Sequence, residues 1–183
     1  MAQNQVSVVN TPLCEMKIAD GIAPVPLFEK MGIKVLIGTD GAMWNNSNDM
    51  FREMKAMVLL HTVNSGIRSL NTCDVLDMAT INGAEAFGLG HSKGSLFEGK
   101  DADIILLDTK EPHMQPLRIG PHANAASLVV YNATGRDVTD VFIYGKAVMR
   151  NRTITTVNEK GIIEKVKNAS DRIAEKLPEC LMH

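Results

Sequence analysis

Lys34-Val-Leu-Ile-Gly-Thr-Asp-Gly41 is the stretch of sequence on which the fold of this chain depends. Residues 34–39 form a nearly continuous apolar run that is too short for a helix and is bounded by Gly32 and Gly41. This pattern predicts a buried strand. Because strands that are apolar on both faces belong to parallel sheets covered by helices, the stretch indicates an α/β fold.

Asp40 stands where this predicted strand ends. At the carboxyl end of a parallel strand, a side chain points toward the edge of the sheet or barrel at which α/β proteins bind their ligands. A carboxylate buried there without a partner is costly, so we expect a metal, a cationic group or several hydrogen-bond donors beside it. The alternative interpretation is a helix N-cap or turn residue, since Asp is common in turns, and the local pattern does not decide between the two.

Composition and charge exclude several classes of protein. The formal net charge of -2 argues against binding to nucleic acid or to a membrane surface. No apolar run is long enough to cross a bilayer, and the first residues lack the pattern of a signal peptide. The three cysteines, Cys14, Cys73 and Cys180, are widely spaced and form no CxxC pair, which predicts reduced thiols in a cytoplasmic protein.

The first third of the chain alternates between predicted strands and helices. Residues 5–9 are a strand candidate, the loop 21–26 opens a helix of about two turns, and the strand that ends at Asp40 follows. An amphipathic helix is predicted over residues 49–63, with Asn48 as its N-cap. This order predicts right-handed βαβ units on a parallel sheet. The apolar face of the last helix consists of Met50, Phe51, Met54, Met57, Val58 and His61.

Two short helices are predicted next, one over residues 72–79 with Thr72 as its cap, and one with a capping box formed by Asn82 and Glu85. The pattern then changes to strands, so we expect two domains, at residues 1–90 and 91–183. The predicted elements of the second domain are a strand over 102–108, a hairpin over 138–148, a strand over 152–157 and a helix over 159–177.

The stretch around Asp40 also carries a family resemblance. Residues 32–42, followed by the Asn45-Asn46 pair and the predicted helix 49–63, resemble the last barrel strand of the metal-dependent amidohydrolase superfamily and the helix after it. They resemble in particular the branch that deaminates S-adenosylhomocysteine, 5'-methylthioadenosine and related adenosines, with chlorohydrolase-like enzymes close by. The resemblance continues in the family's order through most of the chain, at residues 16–25, 78–88, 94–108 and 138–146.

The resemblance implies a fold. The chain is expected to be the C-terminal portion of a (β/α)8 metallo-hydrolase barrel, made of the last two strands and their helices. A small β-sandwich piece and a C-terminal helix are expected to follow.

The resemblance also implies a chemistry, namely hydrolytic deamination of adenosine-type substrates of the S-adenosylhomocysteine, 5'-methylthioadenosine and 5'-deoxyadenosine class. It implies one divalent metal, zinc or iron, with Asp40 as the metal ligand, as a catalytic group that helps to take a proton from metal-bound water, and as a substrate contact. Trp44 is a second candidate substrate contact, by stacking on a purine ring, with a plug or a core position as the alternative.

The other metal ligands that the family uses are not in this sequence. Its five histidines, His61, His91, His113, His122 and His183, include no His-x-His pair. We expect His61 to be packed or partly exposed and the loop histidines to be solvated. Because a catalytic metal needs about three protein ligands, we expect that this chain alone does not retain the metal. A full barrel needs roughly 250 residues, so the chain is expected to be a fragment. Its missing walls are then expected to come from self-association, a partner chain or an upstream region.

Further positions depart from the family pattern: the family has His at Asn10, Ser at Cys14, Asn at Glu15 and Ser at Trp44. All of them line the predicted mouth of the barrel and leave the substrate open. Three functions therefore remain under consideration: part of an adenosine-type deaminase, an amidohydrolase acting on another C–N or C–Cl bond, and a non-catalytic remnant with a structural or interaction role. A small independent α/β protein in which Asp40 caps a helix is the remaining alternative.

Overall fold

The buried strand around residue 36 forms a parallel pair with the strand at the start of the chain. The computed structural model describes residues 6–176. Strand β1 (Val8–Asn10) pairs in parallel with β2 (Val35–Ile37), with Val8 opposite Val35 and Asn10 opposite Ile37. Every residue of β2 is buried, so the predicted α/β class, the buried strand and the parallel pairing are confirmed.

Six helices follow or separate these strands within the first half of the described chain. Two of them, α1 and α3, were not predicted, because their seven and four residues are too few for a helical period to show in the sequence. The bounds are α1 (Pro12–Ile18), α2 (Val25–Lys30), α3 (Ala42–Asn45), α4 (Met50–Ser65), α5 (Thr72–Met78) and α6 (Ile81–Ala86).

The predicted cap of α4 is wrong by one residue. Asp49 is the N-cap, with an extended backbone and a side chain that accepts a hydrogen bond from the Phe51 N–H. Asn48 has a positive φ of 48° and lies in the left-handed region, whereas an N-cap residue adopts the extended region.

The predicted caps of the next two helices are also wrong. The N-cap of α5 is Asn71, which forms a capping box with Asp74, whereas Thr72 is the first helical residue. At α6, Asn82 caps nothing, since its amide donates to the Val35 carbonyl at 2.8 Å. Its predicted box partner Glu85 forms an ion pair with Lys34 instead.

The second half of the described chain contains an antiparallel sheet with strands in chain order. The predicted hairpin is confirmed, with Gly145 at a positive φ of 73° in its turn, but the strand predicted over residues 152–157 has only two paired residues. Helix α7 was not predicted, because its seven residues are too few for a helical period to show in the sequence. The bounds are β3 (Ile104–Leu107), β4 (Val138–Ile143), β5 (Lys146–Arg150), β6 (Thr153–Ile154), α7 (Ala125–Tyr131) and α8 (Glu159–Ala174).

One hydrophobic cluster contains residues from both halves. Met114, Leu128 and Val130 pack in the same buried cluster as Val35 and Met57, because α7 lies against α4 and α5. The domain boundary at residue 90 therefore stays a prediction. Across residues 6–176, none of the helices combines the length and the apolar character that a membrane crossing requires.

Met57→Ala tests this cluster. The side chain of Met57 is fully buried (0% exposed), so its truncation leaves a cavity, and we expect the free energy of unfolding to fall by about 3 kcal/mol. Urea denaturation followed by circular dichroism measures the change. Met43→Ala is the matched control, since Met43 is 76% exposed and its truncation should cost less than about 0.5 kcal/mol. Equal losses in the two variants would contradict the described core.

Candidate active site

The candidate site lies where β1 and β2 end side by side. Asn10 is the last residue of β1, and Asp40 follows β2 closely. Gly38 keeps the two strand ends close together, because a Cβ there would lie 2.8 Å from Cγ1 of Val9. Asp40 then turns the chain with a positive φ of 57°, a conformation that Asp tolerates better than most residues.

The Asp40 carboxylate accepts hydrogen bonds from both sides. Its Oδ1 accepts from the Gly41 N–H at 2.6 Å, and its Oδ2 accepts from Sγ of Cys14 at 3.0 Å. The thiol, followed by the Gly41 amide, lowers the pKa of Asp40 below its ordinary value. The same contact, with burial and the negative charge of Asp40, raises the pKa of the Cys14 thiol to about 11. The pair therefore consists of an ionised carboxylate and a neutral thiol at neutral pH.

Asp40 has no cationic partner and caps no helix in the described part of the chain. Its side chain is not in an ion pair with any Lys or Arg among residues 6–176. The N-cap of α3 is Gly41 without a side-chain cap, and the N-cap of α4 is Asp49. The interpretation of Asp40 as a helix cap is therefore wrong, whereas its interpretation as a turn residue agrees with its positive φ. Its expected role as a ligand or catalytic group stays a prediction.

A second carboxylate, Glu53 on α4, lies fully buried next to this site. Its Oε2 accepts from the Leu13 N–H at 3.1 Å, and its Oε1 accepts from the Asn45 amide. The same Asn45 amide donates to the Thr39 carbonyl at 2.7 Å. Burial raises the pKa of Glu53 above its ordinary value.

Sequence reasoning missed Glu53, although a signal for it exists. It lies three residues after Met50 and four before Met57, and therefore on the face of α4 that was predicted to be apolar. A charged residue at such a position needs partners, since an unpaired buried carboxylate is costly.

At the end of β1, two of the positions that depart from the family pattern bind each other. Nδ2 of Asn10 donates to both carboxylate oxygens of Glu15, at 2.6 and 2.8 Å, and the Thr11 N–H donates to Oε1 of Glu15 at 3.0 Å. Asn10 is 1% exposed. Its amide is therefore fixed by Glu15 rather than directed at Asp40.

Trp44 lies on α3, directly after the Asp40–Gly41 turn. Its side chain is 48% exposed, and its Cδ1 atom lies 3.8 Å from the position that a Cβ on Gly41 would occupy. Trp44 is therefore not a core residue among the residues described, and about half of its surface is accessible.

The described residues do not by themselves fit a catalytic metal. Residues 6–176 contain no group of three or more His, Cys, Asp or Glu placed to hold an ion, and such a centre needs about three protein ligands. Asp40 has Cys14 as its neighbour, and that thiol donates its proton to the carboxylate. The structure therefore provides one candidate ligand.

None of the four histidines in the described chain has a hydrogen bond to Asp40. His61 is fully buried on α4, which confirms that it is packed, and neither ring nitrogen has a hydrogen-bond partner among the described residues. His113 is exposed, as expected, and its Nε2 lies 3.0 Å from Oδ1 of the buried Asp137. His91 and His122 are exposed, as expected, and His183 lies outside the described residues.

A profile of proteins described as the amidohydrolase family matches residues 1–148 of the chain. The chain belongs to the amidohydrolase family. The resemblance seen at residues 32–42 and beyond is thereby confirmed.

Similar amidohydrolases carry names that refer to adenosine deamination. The chain is 42% identical over 175 residues to a 5-methylthioadenosine/S-adenosylhomocysteine deaminase of Syntrophomonas wolfei. It is 40% identical over 174 residues to a 5'-deoxyadenosine deaminase of Methanosarcina acetivorans. These alignments cover 95% and 94% of this chain, but 39% of each relative.

A solved structure gives the same result for the fold. The chain superimposes with a TM-score of 0.88 and 32% identity on an adenosine deaminase from Xanthomonas campestris with bound zinc. The superposition covers 95% of this chain and 39% of that protein. The chain thus spans about two fifths of the amidohydrolases that it matches.

Asp40→Asn tests the contact between Cys14 and the carboxylate. Removing the negative charge should lower the pKa of Cys14 from about 11. The alkylation rate of Cys14 near about pH 9 should rise roughly tenfold for each unit by which that pKa falls, since the thiolate is the reactive form. Iodoacetamide labelling followed by mass spectrometry, in a Cys73→Ser/Cys180→Ser background, measures the rate.

Asp77→Asn serves as the control for this experiment, because Asp77 is an exposed carboxylate on α5. Labelling of Cys14 that rises as much in Asp77→Asn as in Asp40→Asn would show that Asp40 does not bind the thiol.

Proposed function

We propose that this chain supplies the part of the active site of an adenosine-type deaminase that contains Asp40. In this proposal β1 and β2 are the last two strands of a (β/α)8 barrel, and the sheet β3–β6 is the sandwich piece that follows them. The substrate class is S-adenosylhomocysteine, 5'-methylthioadenosine or 5'-deoxyadenosine, in keeping with the names of the relatives. Hydrolytic deamination adds the oxygen of water to the ring carbon that bears the amino group and releases ammonia.

The observation that carries this proposal is the position of the Asp40 carboxylate together with its ionised form. It lies beyond the carboxyl ends of two parallel strands, exposed, with a lowered pKa and no cationic partner in the described chain. The carboxyl ends of barrel strands are where enzymes of this architecture carry their catalytic groups. An ionised carboxylate held by an amide and a thiol can accept a proton and return it.

The exposed ring of Trp44 supports a purine substrate. Indole rings stack on flat aromatic ligands, and the half-exposed Trp44 follows the Asp40–Gly41 turn. In the proposed site, Trp44 binds the substrate base while Asp40 takes the proton of the attacking water.

The proposed deaminase would use a divalent metal, zinc or iron, and most of the ligands of that metal are not among the described residues. Asp40 is the one candidate ligand here, so the remaining ligands must come from other residues of a longer polypeptide or from a partner chain. Met16, Leu59 and Val63 on α1 and α4 have exposed apolar side chains. Such a surface is in keeping with a contact to those other residues or to a partner chain.

The second candidate function is a non-catalytic member of the family. It is favoured by the Asn10–Glu15 contact, which places a fixed amide where the family resemblance leads one to expect His. In this case the exposed apolar surface serves assembly with a partner, and Asp40 has no chemical role.

Metal analysis of the isolated chain tests the proposed division of ligands. A single carboxylate binds a divalent ion weakly, so after dialysis we expect less than about one tenth of a zinc or iron ion per chain. Elemental analysis measures the content, and Asp40→Asn should leave it unchanged. Stoichiometric, tightly held metal in the parent chain would show that the centre is complete without further residues.

A reconstitution assay tests the function. We propose to produce this chain together with the part of the Syntrophomonas wolfei deaminase that it does not match, and to measure ammonia release from the three adenosines named above. The parent chain should support turnover, and Asp40→Asn should reduce it by about 100-fold or more, since general acid–base groups contribute about that factor.

Asp77→Asn is the control in this assay and should retain full turnover. A soluble, metal-loaded complex that releases no ammonia from any of the three substrates would favour the non-catalytic candidate.

A further inference from the structure

The buried carboxylate of Glu53 lies at the junction of the two segments that contact Asp40. It is 0% exposed, and both of its oxygens accept hydrogen bonds, one from the start of α1 and one from α3. A buried charge in a protein is normally paired with donors in this way, and removing one of them is costly. Each of the two partners of Glu53 is connected to Asp40 by a short path of hydrogen bonds and neighbouring residues.

The first path runs through α1. Glu53 accepts from the Leu13 N–H at 3.1 Å. The next residue is Cys14, whose buried thiol donates to Oδ2 of Asp40 at 3.0 Å. Leu13 and Cys14 lie in the first turn of α1, so the bond to Glu53 fixes the position from which the thiol reaches the carboxylate.

The second path runs through α3. The Asn45 amide donates one hydrogen to Glu53 and the other to the Thr39 carbonyl, at 2.7 Å in the latter case. Thr39 precedes Asp40, and Gly41, whose N–H donates to Oδ1 of Asp40 at 2.6 Å, is the N-cap of α3. Asn45 therefore fixes the backbone on the other side of the same carboxylate.

We propose that Glu53 is a positioning residue for Asp40. It sets the distance between α1 and the turn at residues 39–41, and so keeps both oxygens of Asp40 supplied with a donor. The statement about geometry stands on these contacts alone, whereas its consequence for turnover rests on the proposed deaminase function.

The role requires a carboxylate and not merely a polar side chain. Both oxygens of Glu53 face donors, so an amide at this position would direct its NH2 group at either the Leu13 N–H or the Asn45 NH2 group. Asn45 cannot compensate by turning over its amide, because its Oδ1 already accepts from the Ser47 hydroxyl at 2.9 Å and its Nδ2 binds Thr39.

The test compares the backbone amide resonances of Glu53→Gln with those of the parent 183-residue chain. Both samples keep any polypeptide that co-purifies with the chain. The reporter is the Gly41 N–H in a 15N-correlated NMR spectrum, since this group donates directly to Asp40. Asp40→Asn defines the direction in which the Gly41 resonance moves when that contact is weakened. We expect Glu53→Gln to move the resonance in the same direction.

Met57→Ala is the matched control, because Met57 is also fully buried on α4, one turn further along the helix, and its side chain takes part in neither path's hydrogen bonds. It should lower stability and leave the Gly41 resonance in place. A Gly41 resonance that stays fixed in Glu53→Gln would overturn the proposal. If Glu53→Gln does not fold, Asn45→Ala cuts the second path alone, and an unchanged Gly41 resonance there overturns the proposal in the same way.

The reconstituted enzyme gives a second readout. Glu53→Gln should lower kcat at least tenfold, because the reacting carboxylate is displaced from its donors. Unchanged kcat would overturn the positioning role. Should the parent complex release no ammonia at all, the deaminase proposal fails, while the Gly41 comparison still decides whether Glu53 positions Asp40.

Discussion

The parallel pairing of β1 with β2 is the constraint on which the rest of the structure depends. The register sets Asn10 opposite Ile37, so the chain leaves both strands at the same edge of the sheet. Helix α1 begins directly after β1, and the turn at Asp40 follows β2. Cys14 and Asp40, although 26 residues apart in sequence, therefore come within hydrogen-bonding distance. A slip of one residue in this register would direct the side chains of β2 to the opposite face and separate the two groups.

Patterns that repeat within one element were readable from the sequence. The apolar run at residues 34–39 predicted a buried parallel strand, the spacing of methionines predicted α4, and the turn at Gly145 predicted a hairpin, and all three are present. Elements too short for a period, such as α3, could not be predicted. The caps of α4 and α5 were each misplaced by one residue, because neighbouring polar residues compete for the cap and the local backbone conformation decides between them.

Asp40 could be predicted as the central residue of the candidate site, whereas the contacts around it could not. Asp40 was identified from its place at the end of a strand and from a family resemblance. The family resemblance placed Cys14 at the mouth, but its bond to Asp40 and the role of the Glu53 carboxylate could not be predicted, because these contacts join residues 26 and 40 positions apart. The Asn10–Glu15 contact is local, yet nothing in the pattern indicated that two residues unusual for the family would bind each other.

Gly38 has a consequence for how this family member can change over time. Its missing side chain is what allows the strand ends to approach, since a Cβ there would meet Val9 at 2.8 Å. Every change that replaces this glycine by another amino acid introduces at least a Cβ, so no substitution at this position leaves the approach of the strands undisturbed. Drift toward new substrates has more freedom at residues such as the half-exposed Trp44, four positions after Asp40.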